Sequence, residues 1–272
     1  MGKFLRIFFA ATALYAGVTY FGEDKIQELL KQRNGVHRIN PEYENRVQES
    51  LKKIDGTQQG DNTQISGIVD TAKELSGNEE VTVASMAALR RIGTEEAKNQ
   101  LYSLVLSNDH REIRDNLPSY AARELAEMDP FAAVNAVAEA RRSLSGRYAE
   151  EHRVMKDLRE VLYDIGNEDA LDVLMAQGNP HDIAYFVIRN KDKNVFYRQK
   201  DALIEMFEGR IMRGVYSGGI NCNIDANAVY RFAYAINILD RTYAERYLLG
   251  MAESTGCIPF PVEDSLRNNS FR

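Results

Sequence analysis

Four histidines, His37, His110, His152 and His181, are the first candidates for chemistry. Metal centres built on helices set His and carboxylates at fixed spacing. None of these His is followed by Glu, and their separations of 73, 42 and 29 residues keep no period. No metal site is expected, and the His read as solvated or capping side chains. Gly209-Arg-Ile-Met-Arg-Gly214 has the glycine spacing of a phosphate loop but continues Val-Tyr. It lacks the Lys that would reach the phosphates and the hydroxyl that would reach Mg²⁺, so it reads as a hinge loop. Ser217 lies among glycines without a nucleophile-elbow pattern around it. No catalytic residue and no cofactor is expected. Asn135, Glu139 and Arg142 recur at i, i+4 and i+7, so on a helix they share one face. With Asn99 and Asp172 on flanking helices they would make a mixed polar strip suited to binding, although an ordinary solvated face has the same pattern.

The elements that would position this strip repeat. Ala88-Leu-Arg-Arg-Ile-Gly-Thr-Glu-Glu-Ala97 aligns with Glu124-Leu-Ala-Glu-Met-Asp-Pro-Phe-Ala-Ala133 and with Val161-Leu-Tyr-Asp-Ile-Gly-Asn-Glu-Asp-Ala170. Each is the last turn of an apolar helix, a break, and a cap into a second helix. The apolar residue before the break is Ile92, Met128 and Ile165, so the break returns after 36 and then 37 residues. Two further periods reach Leu239, followed by Asp-Arg-Thr. One helical hairpin per period in this range is the signature of an α-solenoid. Residues 111–128 read as one helix kinked at Pro118, residues 196–212 as a helix of a degraded repeat, and residues 213–223 as a Gly-rich loop. Asp225 would cap the next helix. Cys222 and Cys257, the only two cysteines, would then flank the open end of the last hairpin. In an exported chain a disulfide would clamp that end; in a reducing cytosol they would be two unrelated small residues.

Residues 1–22 carry Lys3 and Arg6 and no acidic residue, and residues 4–21 are otherwise almost wholly apolar. This pattern is that of an export signal. A cleaved peptide could end at Ala11-Thr-Ala13, but only seven residues after Arg6. An uncleaved anchor spanning residues 4–21 would reach roughly 27 Å, about one bilayer core, and is the favoured reading. A buried helix of a cytoplasmic protein is the bland alternative. Ala13 and Gly17 have small-xxx-small spacing, which leaves a homo-oligomer open. The net charge is −6, and −8 once Lys3 and Arg6 are set aside. A surface of that sign repels phosphate backbones, so nucleic acid is not the expected partner.

Asn78-Glu-Glu-Val81, Ala87-Ala-Leu-Arg-Arg-Ile-Gly-Thr-Glu-Glu-Ala97 and Leu101-xx-Leu104 resemble the HEAT-like repeat family, including the short version named after phycobilisome lyases. Leu158 to Leu174 matches through Ile165-Gly166 and Ala170-Leu171; the unit around Met128 departs, with Asp-Pro in place of Gly. The resemblance covers residues 78–177 well and 180–252 loosely. It implies an all-α, right-handed α-solenoid of about five stacked hairpins, with second helices on the concave side. It does not imply the lyase activity, because fold does not fix function. The expected organisation is a signal anchor or signal peptide (1–22), a helical neck (23–54), a linker (55–63), the solenoid (64–254) and a tail (255–272). The expected function is that of an exported or membrane-anchored scaffold that binds a protein of unknown identity on its concave face, with the solenoid outside the cytoplasm. After signal cleavage it would instead be secreted or periplasmic. The alternatives are a lyase-like enzyme or maturation factor gripping a protein substrate, with chemistry in the loop 213–224, and a structural spacer.

Overall fold

The computed structural model describes residues 41–144, 149–217 and 226–255. Among the described residues there are thirteen α-helices, one 3-10 turn and no strand. The chain divides into two compact units, residues 1–56 and 57–272. The first contributes α1 (Pro41–Asp55). Pro41 is preset for a first helical position, Glu42 and Glu44 face the positive end of the helix dipole, and Lys52 and Lys53 face the negative end. Val47 and Ile54, two turns apart, are its buried side chains.

The second unit holds α2 (Ile65–Glu74), α3 (Glu79–Ile92), α4 (Glu95–Val105), α5 (His110–Arg114), α6 (Leu117–Met128), α7 (Pro130–Ser143), α8 (Ala149–Ile165), α9 (Glu168–Gln177), α10 (Pro180–Arg189), α11 (Lys200–Ser217), α12 (Ala226–Leu239) and α13 (Arg241–Thr255). Four tight corners join helices in pairs, and they use two solutions. After α3, Gly93 turns left-handed at φ 71° and Thr94 caps α4 through the Ala97 amide. After α8, Gly166 at φ 58° and Asn167 do the same for α9. After α6 a single residue suffices. The Asp129 amide donates to Leu125 O, and its carboxylate accepts from the Ala132 amide at 3.0 Å. Asp240 repeats this between α12 and α13, bonding Ile236 O and the Tyr243 amide.

The helices pack in order. α3 lies on α6 and α6 on α8, while α4 lies on α7 and α7 on α9. Alanines fill these seams: Ala88, Ala97, Ala121, Ala122, Ala133 and Ala136 are fully buried, which lets backbones approach closely. Leu89, Leu101, Leu125, Leu158 and Leu171 are likewise fully buried. Side-chain bonds cross from one pair to the next: Tyr120 to Glu79 (2.9 Å), Ser76 to Asp115 (2.8 Å), Asn116 to Asp157 (2.7 Å) and Lys200 to Asp240 (2.7 Å). Their sequence separations run from 39 to 41 residues. The polar stretch before α2 is tied down: the Gly60 amide donates to Ile92 O at 2.8 Å, and Thr94 donates to Asn62 at 2.6 Å.

Three local expectations are corrected. Residues 111–128 are not one kinked helix. Asn116 takes the left-handed conformation at φ 63° and separates α5 from α6, so Pro118 sits in the first turn of α6, where no amide donor is missed. The Gly209–Gly214 stretch is not a hinge loop but part of α11, which runs on to Ser217. Leu203, Phe207 and Ile211 bury one stripe of that helix, and packing outweighs the helix cost of the glycines. The degraded repeat also starts late. Phe196 lies ahead of α11, buried with its ring edge-on to Phe186 at 6.1 Å.

Candidate functional site

The site is built on α4 and α7. On α4, Glu95, Lys98, Asn99 and Tyr102 fall at i, i+3, i+4 and i+7; on α7, Phe131, Asn135, Glu139 and Arg142 fall at i, i+4, i+8 and i+11, again on one face. These two stripes face each other across an open groove of about 480 Å³, with Ala132 and Ala138 as its small floor residues. Each helix is anchored on its other face, α4 by Ala97, Leu101 and Leu104 and α7 by Ala133, Val134, Ala136 and Val137. The polar stripes are therefore held at fixed phase by the core.

Tyr102 Oη donates to Glu139 Oε2 at 3.1 Å. Partial burial, and then this carboxylate, hold the phenol pKa above its ordinary value, so it stays a donor. Lys98 bridges Glu95 (2.9 Å) and Asp129 (3.2 Å), and the hydrogen bonds to these two carboxylates raise its ammonium pKa. The same lysine thereby ties α4 to the corner that starts α7. Arg142 spends only Nε, on Ala138 O at 3.2 Å, and makes no ion pair with a described residue. Asn99 and Asn135 are exposed and likewise unengaged among the described residues. Phe131 is 61% exposed, in the first turn of α7. The groove thus offers two amides able to pair with peptide backbone, one guanidinium for a carboxylate and one apolar ring. Its lining contains no Ser, Cys or His.

Comparison with protein-family models, curated proteins and solved structures finds no match to this chain.

Of the five residues expected in the polar strip, the fold brings four together: Asn99, Asn135, Glu139 and Arg142. Asp172, on α9, is not among the lining residues; it accepts a hydrogen bond from Gln199. Sequence reasoning missed Glu95, Lys98, Tyr102 and Phe131. The α4 stripe was available from its spacing, and Phe131 from a large ring placed on the polar side of an amphipathic helix. A larger cavity of about 660 Å³ lies among α3, α6 and α8. Most of its charges have partners at hand: Arg90 pairs with Glu124 at 2.7 Å and more distantly with Glu127, and Asp164 pairs with Arg189. Burial raises the Glu124 pKa.

Several sequence expectations fall outside the described residues: the apolar segment 4–21, Cys222, Cys257, Asp225 and the side chain of Ser217. No helix among the described residues is long and apolar enough to cross a membrane. Nor do the described residues contain a cluster of three His, Cys, Asp or Glu able to hold a metal.

Proposed function

We propose that the chain is a HEAT-like, right-handed α-solenoid that binds a protein partner in the α4–α7 groove, exported or held at a membrane by residues 4–21. The convergence of Asn99, Asn135, Glu139 and Arg142 beside the exposed Phe131 carries the binding reading. Two ordered rows of helices, corners at a near-constant period and bonds crossing at about one period support stacked hairpins. The occupant best matched to the lining is an extended peptide segment bearing an apolar side chain for Phe131 and an acidic one for Arg142. The location rests on the basic-then-apolar N-terminal pattern.

The test is site-specific photo-crosslinking of the full chain in its native membrane fraction. A photoreactive residue at Asn135 is expected to yield a discrete protein adduct, and one at the exposed Arg198 of the α10–α11 connection is not. Phe131→Ala with Arg142→Glu should abolish the Asn135 adduct while leaving the melting temperature within about 2 °C of wild type, as expected for exposed sites. Equal adducts from both positions, or an adduct that survives the double substitution, would sink the reading. Intact mass from the same fraction addresses location: a chain beginning at Met1 supports the anchor, and one beginning near Leu14 supports a released protein.

A further inference from the structure

The seam between α8 and α10 carries a cluster of charged and aromatic groups. Arg159 Nη1 donates to both carboxylate oxygens of Asp182, at 2.8 and 2.7 Å. Beside it the rings of Tyr163 and Tyr185 lie 5.1 Å apart, and His181 packs on Phe232 of α12 at 4.9 Å. Between these groups is a cavity of about 210 Å³ onto which Lys156 and Arg231 also open.

The charges around this cavity do not balance. Lys156 and Arg231 make no ion pair with a described residue. Glu160 is held by Arg189 at 2.9 Å. Asp182 is shared between Arg159 and the Asn179 amide. A further cation, Arg141, does not line the cavity but feels the charges of Arg159 and Asp182. Burial, and then the Arg159 charge, lower the pKa of Arg141 on α7 to about 10. Nε and Nη1 of Arg141, and Nε of Arg159, are buried with no hydrogen-bond acceptor. Buried guanidinium donors are ordinarily satisfied, so these can still take an acceptor. The chain as a whole is acidic, at −6, so this local excess runs against its overall charge.

We infer that this cavity binds a phosphate monoester, with Lys156, Arg159 and Arg231 holding the dianion and Tyr163, Tyr185 and His181 walling the group that carries it. The three cations that line the cavity, against Asp182 and with Glu160 already paired to Arg189, leave about two positive charges to neutralise, which a phosphate dianion matches and a carboxylate does not. The cavity has room for several waters' volume, enough for a phosphate and one small ring. The site is distinct from the α4–α7 groove and does not depend on it.

The test is titration calorimetry of the full chain in mild detergent with phenyl phosphate, and with phenol as the uncharged match. Phenyl phosphate should bind, and phenol should not. Lys156→Gln with Arg231→Gln, neither of which packs the core, should weaken binding at least about tenfold. Asp182→Asn should tighten it several-fold, because it removes the carboxylate that competes for Arg159; circular dichroism checks that each variant is folded. Unchanged affinity in the Lys156/Arg231 variant, or equal binding of phenol, overturns the proposal. A phosphotyrosine peptide separates the two sources of the ester. Tenfold tighter binding than phenyl phosphate assigns the anion to a modified protein side chain, and equal binding assigns it to a small phosphate ester.

Discussion

Gly166 does two jobs at one position. Its left-handed backbone, φ 58°, closes α8, and its missing side chain makes room for Asn190. Asn190 uses that room to donate to Tyr163 O and Phe186 O, both at 3.1 Å, and Lys193 donates to Ile165 O at 3.1 Å. The end of α8 is thus capped by the end of α10. A Cβ at Gly166 would overlap Asn190 Oδ1, whereas at Gly178, φ 67°, it would meet nothing. Gly178→Ala is therefore expected to cost about 1 kcal/mol, the backbone penalty alone. Gly166→Ala should cost clearly more, on the order of 2–4 kcal/mol, because the Asn190 cap is lost as well. Urea unfolding of the two variants measures this, and equal midpoints would show that the Asn190 contact contributes nothing.

At the scale of elements, α11 is where local preference and packing disagree. Two glycines, with Ser-Gly-Gly soon after them, argue for a loop, yet the helix continues through both. Gly209 has no atom near the place a Cβ would take. Gly209→Ala is thus expected to stabilise the protein by roughly 0.5–1 kcal/mol, by removing a helix-interior glycine. A hinge at this point would give a loss instead, and thermal melting of the single variant decides between them. The same contrast explains what could be read in advance. The corners at Gly93, Asp129, Gly166 and Asp240 were legible because each pairs a helix stop with a capping side chain in adjacent or shared positions. The α5–α6 break was not, since an Asn in the left-handed region leaves no mark that distinguishes it from any other Asn. Four members of the groove were legible from periodicity along α7 and its neighbour. Phe131 and Tyr102 are less legible, because an isolated aromatic on a helix reads first as core.

At the scale of the whole molecule, carboxylates hold the corners and seams, and this sets the response to acid. Hydrogen bonds depress the Asp129 and Asp240 carboxyls: the Ala132 amide and Lys98 act on the first, Lys200 and the Tyr243 amide on the second. At Asp115 burial works in the opposite direction, but bonds from Arg114 and Ser76 prevail and the pKa is again lowered. Groups with folded pKa values below the ordinary 3.8 contribute stability that is complete above that value and is lost as pH falls through their folded values. Glu124, raised by burial, works against them as a single group. The urea midpoint is expected to hold between pH 7 and about 5 and to drop steeply below about 4. A midpoint that stays flat to pH 3 would remove these carboxylates from the stability account. The single-residue corner at Asp129 has a further meaning, because it has no slack. One residue ends α6 and begins α7, so every side chain of α7 is indexed to the helix before it. A residue inserted there could not be absorbed in a loop. It would turn α7 by about 100°, as a gear slips one tooth, and carry Asn135, Glu139 and Arg142 away from α4 together. The groove's composition is written along α7, but its registration is set by the length of the turn before it, so lineages that vary this corner by even one residue would present a different surface from an otherwise unchanged helix.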